Sequence, residues 1–121
     1  EVQSNWTRTM DKRLGSHFPA AAKEYWTRLM EAAPASTMAG MRRDARSFDV
    51  MDRLADIRCP TLVITAKGSL LGGPDEVRAW QKLIPNSELA LIDSDSFHVA
   101  VSEADEAARL TLDFIGRRNP Q

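Results

Sequence analysis

The sequence has little of several features that would assign it to a particular class of protein. Its only cysteine, Cys59, excludes an internal disulfide and a cysteine-rich metal site. Its formal net charge of -1 gives no electrostatic reason for binding to nucleic acid or to a membrane. No apolar run approaches the roughly 20 residues of a membrane-spanning helix, and the first residues lack the apolar core of a signal peptide. We therefore expect a cytoplasmic domain with no nucleic-acid partner and no membrane partner.

Motifs for metal and phosphate binding are missing as well. The two histidines, His17 and His98, and the single cysteine do not have the spacing of a zinc site. The glycines match neither Gly-x-Gly-x-x-Gly nor the Gly-Lys-Ser/Thr ending of a phosphate loop. The sequence therefore implies no metal and no cofactor. We expect His17, which precedes the start of a helix, to be a surface or capping residue.

What is present is a change of hydrophobic periodicity near residue 57. Before it, apolar side chains recur every three or four positions, which is typical of helices. Proline at both ends of the longest such segment favours a helix that begins and ends there. The predicted helices cover residues 19–34, 35–48 and 49–57, with Ser36 as a cap of the second and Asp49 opening the third.

After this point the pattern alternates between strands and helices. Apolar, β-branched runs predict strands at residues 60–66 and 87–93, and their continuous apolar character is typical of strands buried on both faces. Each strand is followed by a helix, which predicts parallel strands joined by a right-handed crossover and hence an α/β fold. The helix at 75–84 is expected to pack through Trp80 and Leu83, and the helix at 102–118 to be capped by Ser102 and to pack through Ala104, Ala108, Leu112 and Ile115.

His98 follows the second predicted strand, at a place where parallel sheets often carry functional residues. Ligands of open parallel sheets bind beyond the carboxyl ends of the strands. The stretch IDSDSFHVA places His98 a few residues beyond such an end. Position alone leaves two interpretations open: a catalytic base, and a surface histidine satisfied by local hydrogen bonds.

The C-terminal half resembles a known family of enzymes. Four consecutive features are together similar to the C-terminal portion of α/β-hydrolases. They are the strand IRCPTLVITAKGS, the helix ending in Ile-Pro, the strand SELALID and the loop with one histidine before the last helix. Enol-lactonases, esterases and carbon–carbon bond hydrolases of that superfamily end in this way. The resemblance covers residues 57–116. It implies that residues 57–121 are the C-terminal βαβα part of the hydrolase core and that residues 1–56 are a helical cap segment with a connecting helix.

The same resemblance implies a function. His98 would be the catalytic histidine of a Ser-His-acid triad, which takes a proton from the nucleophile and returns it to the leaving group. The substrate would be a small-molecule ester, lactone or related carbonyl compound, for example a small lactone that carries a carboxylate. No cofactor is implied.

Two departures from the family pattern concern the other members of the triad. Ser69 stands where the family commonly has its acid, so the acid is expected elsewhere, in some members after the preceding strand of the sheet. Asp95, three residues from His98, is a weaker local candidate, and Asp75 and Glu76 are better explained as charges at a helix start. The chain has no Gly-x-Ser-x-Gly elbow, so we expect the nucleophile to lie outside it.

The function therefore stays open between two classes of protein. One is the portion of a hydrolase that supplies His98, and the other is a non-catalytic, hydrolase-like fragment used for binding or assembly. In both, two strands are too few for a parallel sheet, so we expect the partner to be the N-terminal half of the same protein or a second copy.

A further set of side chains lines either a substrate pocket or a helix-packing core: Trp6, Trp26, Met30, Met38 and Met41.

Overall fold

A computed structural model describes residues 5–118, and within this range the two halves differ as the periodicity predicts. The first half is helical, and the second alternates strand and helix. The first half contains α1 (Asn5–Leu14), α2 (Ala20–Glu31), α3 (Ala35–Ser47) and a 3₁₀ helix (Met51–Asp56). The second contains β1 (Thr61–Ala66), α4 (Pro74–Gln81), β2 (Ser87–Ile92), α5 (Val99–Ser102) and α6 (Ala104–Arg118).

The two strands pair in parallel, which confirms the predicted direction. The register runs from Thr61 opposite Ser87 to Ala66 opposite Ile92, so both strands end at the same edge of the sheet. Helix α4 is the crossover between them, and α4 and α6 both pack against both strands. The result is a mixed helix–strand fold with a two-stranded parallel sheet and flanking helices, which agrees with the predicted α/β class.

The core lies at the carboxyl end of the sheet. Ala66 and Ile92, the last residues of the two strands, form a buried cluster with Val99 and Ala107 from the helices that follow β2. The remaining residues of both strands, apart from Thr65, are only half-buried. The apolar runs are typical of strands buried on both faces, whereas in the described part of the chain only the carboxyl ends are buried, because the described helices cover that end more fully than the rest of the sheet.

The last helix differs from its prediction in its start. It is divided at Glu103 into the short α5 and the longer α6. Ser102 is the final residue of α5, where its hydroxyl hydrogen-bonds the carbonyl of His98 at 3.5 Å, so it does not cap the long helix.

The packing face of α6 also differs from its prediction. Ala107 and Phe114 are buried, whereas Leu112 is 68% exposed and Ile115 is 48% exposed. Ala104 and Ala108, the rest of the predicted stripe, are exposed too. Apolar residues lie on more than one face of this helix, so contact with the sheet, rather than periodicity, decides which face is buried.

Three smaller expectations need correction. Helix α3 starts at Ala35 without a side-chain cap, so Ser36 lies inside its first turn. Asp49 does accept a hydrogen bond from the N–H of Met51 at 2.9 Å, but it opens a 3₁₀ helix. On the packing face of α4 and the residues after it, Leu83 is 46% exposed, whereas Trp80 is half-buried and Val77 and Ile84 are buried.

Candidate functional site

The loops that follow β1 and β2 meet at the carboxyl edge of the sheet. The N–H of Lys67 donates to the carbonyl of Ile92, and the N–H of Gly68 donates to that of Ser94, both at 2.9 Å. A Cβ on Gly68 would lie 3.1 Å from the carbonyl oxygen of Ser94, so glycine permits this close approach. The histidine loop, residues 93–98, is therefore held to the loop after β1.

The histidine loop is also bound to the end of α1. The N–H of His98 donates to the carbonyl of Arg13 at 2.8 Å, and the N–H of Phe97 donates to that of Lys12 at 3.2 Å. The hydroxyl of Ser96, a fully buried residue, donates to the same Arg13 carbonyl at 2.9 Å. The last carbonyls of a helix have no partner within it, so the loop satisfies groups that would otherwise need water. This contact fixes α1 beside His98.

Asp95 fastens the turn that follows α1. Its carboxylate accepts the N–H of Ser16 through both oxygens, at 2.9 and 3.1 Å. Hydrogen bonds from Ser16 lower the pKa of Asp95, and the charge of His17 adds to this effect. Gly15 has φ +84°, and a Cβ on it would lie 2.7 Å from Oδ1 of Asp95. Asp95 is thus engaged with the turn after α1, and no hydrogen bond joins it to the ring of His98.

A cavity of about 290 Å³ lies between α1, α2 and the histidine loop. His98 is part of its wall, together with residues of both N-terminal helices. Of the five aromatic and methionine side chains singled out above, three line it, whereas Met41 is 62% exposed and Met38 is half-buried elsewhere. The lining residues are Trp6, Met10, Arg13, Leu14, Trp26, Met30, His98 and Val101.

The ring of His98 has the properties of a proton acceptor. Burial lowers the pKa of His98, and the positive charge of Arg13 lowers it further. Both effects favour the neutral imidazole at neutral pH, the form that a general base requires. The ring packs edge-to-face on Phe97, with 4.9 Å between centroids. Within residues 5–118 no hydrogen bond reaches either ring nitrogen, and part of the residue stays exposed.

None of the other candidate residues hydrogen-bonds this ring. Ser69 is buried at 6% exposure, and its hydroxyl accepts the N–H of Leu71 at 3.4 Å, inside the loop after β1. Asp75 and Glu76 occupy the first turn of α4 and are exposed, as expected for charges at a helix start. His17 is exposed, as predicted for a surface residue.

Arg13 is the main feature that the sequence interpretation missed. Trp6, Met10, Arg13 and Leu14 recur at helical spacing, so the pattern could have indicated a helix with one face toward a cavity. What no pattern contains is the contact of this helix with a loop more than 80 positions later in the chain, because that contact uses backbone carbonyls.

Residues 5–118 contain no group of three or more His, Cys, Asp or Glu side chains placed to hold a metal ion. None of the described helices combines the length and apolar character needed to cross a bilayer.

Comparison of the chain with protein-family models, with curated proteins and with solved structures finds no match. Functional inference therefore depends on the geometry around His98.

Proposed function

We propose that this chain supplies the catalytic histidine of an α/β-hydrolase that cleaves an ester, lactone or related carbonyl substrate in the cytoplasm. The observation that carries the proposal is the placement of His98. It lies beyond the carboxyl end of a parallel strand, in the wall of a mostly apolar cavity, with its ring nitrogens unbonded among the described residues. Its lowered pKa supports a neutral base.

In the proposed reaction His98 has two steps to perform. It removes the proton of a serine hydroxyl as the oxygen attacks the carbonyl carbon, and it then donates that proton to the leaving alcohol. The apolar wall of the cavity offers a surface on which the apolar part of the ester can pack. No cofactor takes part in this mechanism.

The nucleophile and the acid are proposed to come from the N-terminal half of the same protein or from a second copy. No serine or carboxylate within residues 5–118 hydrogen-bonds the ring of His98. The outer edges of β1 and β2 are unpaired in the described part of the chain, so a parallel sheet can add strands on both sides. Added strands would end at the edge where His98 lies, which is where the remaining triad members belong.

One observation favours a second candidate, a non-catalytic binding or assembly fragment. A triad histidine is normally oriented by a carboxylate, and the described residues provide none, because Ser69 is turned into its own loop and Asp95 binds Ser16. In that case the cavity would hold a small apolar ligand without turning it over.

Hydrolysis of chromogenic short-chain esters and lactones by the full-length protein tests the proposal. His98→Ala is expected to lower kcat by at least about a thousandfold, because loss of a triad base removes proton transfer in both steps. His17→Ala is the matched control, since His17 is exposed and outside the cavity, and its activity should stay within about twofold of the parent.

The outcomes of these assays distinguish the two candidate functions. Near-parental hydrolysis by His98→Ala would remove this residue from the mechanism. A parent protein that turns over no ester or lactone, yet binds small apolar compounds, would favour the non-catalytic alternative.

A further inference from the structure

Arg13 lies in the wall of a mostly apolar cavity and has no counter-ion among residues 5–118. Its guanidinium carbon lies 4.7 Å from the ring centroid of Trp6, and its Nε donates to the hydroxyl of Thr9 at 3.2 Å. No carboxylate within residues 5–118 lies within ion-pair distance of it. A guanidinium has five N–H donors, so the four on its two terminal nitrogens have no acceptor among the described residues.

The position of Arg13 makes an anion more favourable there than at an ordinary surface arginine. The residue is half-buried, and apart from His98 its neighbours in the cavity wall are apolar: Trp6, Met10, Leu14, Trp26, Met30 and Val101. Water screens charges poorly in such a place, so an ion pair is stronger than one in bulk solvent. Contacts with Trp6 and Thr9 already hold the side chain, so less conformational freedom is lost when a ligand binds.

We propose that Arg13 binds a carboxylate of the ligand, so that the substrate is a small ester or lactone with an apolar body and one carboxylate. The assignment of a substrate, as distinct from a ligand, rests on the proposed function. The planar guanidinium forms two parallel hydrogen bonds to a carboxylate. Among the described residues that line the cavity, Arg13 alone carries a fixed positive charge, which balances one carboxylate but only half of the charge of a doubly ionised phosphate. The volume of about 290 Å³ is at the lower end of the usual range for ligand pockets, which fits a small molecule.

Two probes of the same shape and different charge test this role by calorimetric titration of the full-length protein. Cyclohexanecarboxylate carries the anion, and cyclohexanecarboxamide does not. The parent is expected to bind the carboxylate at least about tenfold more tightly than the carboxamide. Arg13→Gln should weaken carboxylate binding by about tenfold to a hundredfold and leave carboxamide binding within about threefold.

Two further variants serve as controls. Arg13→Lys keeps the positive charge and loses the planar guanidinium. Its preference for the carboxylate over the carboxamide should therefore lie between those of the parent and Arg13→Gln. Arg46→Gln removes a positive charge from the exposed last turn of α3, outside the cavity, and should bind both probes as the parent does. Retained binding of the carboxamide by Arg13→Gln shows that the cavity is intact. If that variant fails to fold, the two probes on the parent and on Arg13→Lys still test the proposal.

The titration is independent of turnover. Equal affinity of the parent for both probes, no detectable binding of either at millimolar concentration, or unchanged carboxylate binding by Arg13→Gln would each overturn the role of Arg13. Preference for the carboxylate in a protein that hydrolyses no ester would leave this role standing and refute the proposed hydrolase.

Discussion

Replacing Gly15 by alanine perturbs the turn that positions α1 against the histidine loop. Gly15 is buried with φ +84°, a conformation that is unfavourable by roughly 1–2 kcal/mol for a residue with a Cβ. The new Cβ would lie 2.7 Å from Oδ1 of Asp95 and 3.2 Å from Cβ of Ser96. Both contacts are closer than van der Waals distance, so Asp95 has to move away from Ser16, whose N–H it accepts at 2.9 and 3.1 Å.

The two effects add to a large destabilisation. Overpacking of a well-packed site typically lowers stability by about 1–3 kcal/mol, so with the backbone strain we expect a total loss of about 2–5 kcal/mol for Gly15→Ala. In urea unfolding of the full-length protein this corresponds to a fall of about 1–2.5 M in the midpoint, at a slope of about 2 kcal/mol per molar urea, the middle of the range for small proteins.

Gly116→Ala is the matched control. Gly116 lies in α6, and a Cβ there would meet nothing within 4 Å. Alanine is a better helix former than glycine, so this variant should gain about 0.5–1 kcal/mol. A Gly15→Ala variant with the midpoint of the parent would refute the reasoning, because it would show that neither the turn nor the position of Asp95 constrains this residue.

Three further predictions concern the site and the chain as a whole. Arg13→Gln should move the acid limb of the pH profile of kcat/KM to higher pH. The charge of Arg13 lowers the pKa of His98, so removal of that charge raises the pKa. An acid limb that stays in place or moves to lower pH would contradict this prediction. Ser69→Ala should leave activity within about tenfold of the parent, because its hydroxyl serves its own loop, and a larger loss in steady-state kinetics would count against this. The 121-residue chain expressed alone should be inactive and should self-associate or aggregate, since it exposes both sheet edges and large apolar side chains such as Phe48 and Leu112. A compact monomer in size-exclusion chromatography with a well-resolved near-UV circular dichroism spectrum would contradict this prediction.

The strands were predictable because their signals are local. The expected strands at residues 60–66 and 87–93 are observed as Thr61–Ala66 and Ser87–Ile92. In each, a run of apolar and β-branched residues is bounded by proline or turn residues, and the order of elements dictates parallel pairing. The edge of the sheet at which His98 lies follows from the same order.

The burial pattern was less predictable because it depends on which surfaces meet. Leu112 and Phe114 are both large and apolar, and only contact with the sheet decides that Phe114 is buried while Leu112 is 68% exposed. The contact between α1 and the histidine loop is harder still to foresee. It uses the carbonyls of Lys12 and Arg13, and every residue type has a carbonyl.

His98 is held by backbone hydrogen bonds on both sides, whereas its ring packs on Phe97 and forms no hydrogen bond with any of the described residues. Its N–H donates to the carbonyl of Arg13, and its own carbonyl accepts the N–H of Val101 at 2.9 Å and that of Ser102 at 3.2 Å. The orientation of the ring therefore depends on a group beyond the described residues or on a ligand. A carboxylate hydrogen-bonded to Nδ1 would stabilise the imidazolium and raise the pKa of His98, whereas burial and Arg13 lower it.

If the full-length protein hydrolyses esters, the acid limb of its pH profile consequently shows whether a carboxylate from another segment acts on His98. Neutral His98 is the active form, so activity falls as the pH falls through the pKa of this residue. A limb above the ordinary histidine value of 6.5 indicates that a carboxylate from another segment completes the triad. A limb below 6.5 indicates that burial and Arg13 together lower the pKa of His98 by more than any such carboxylate raises it.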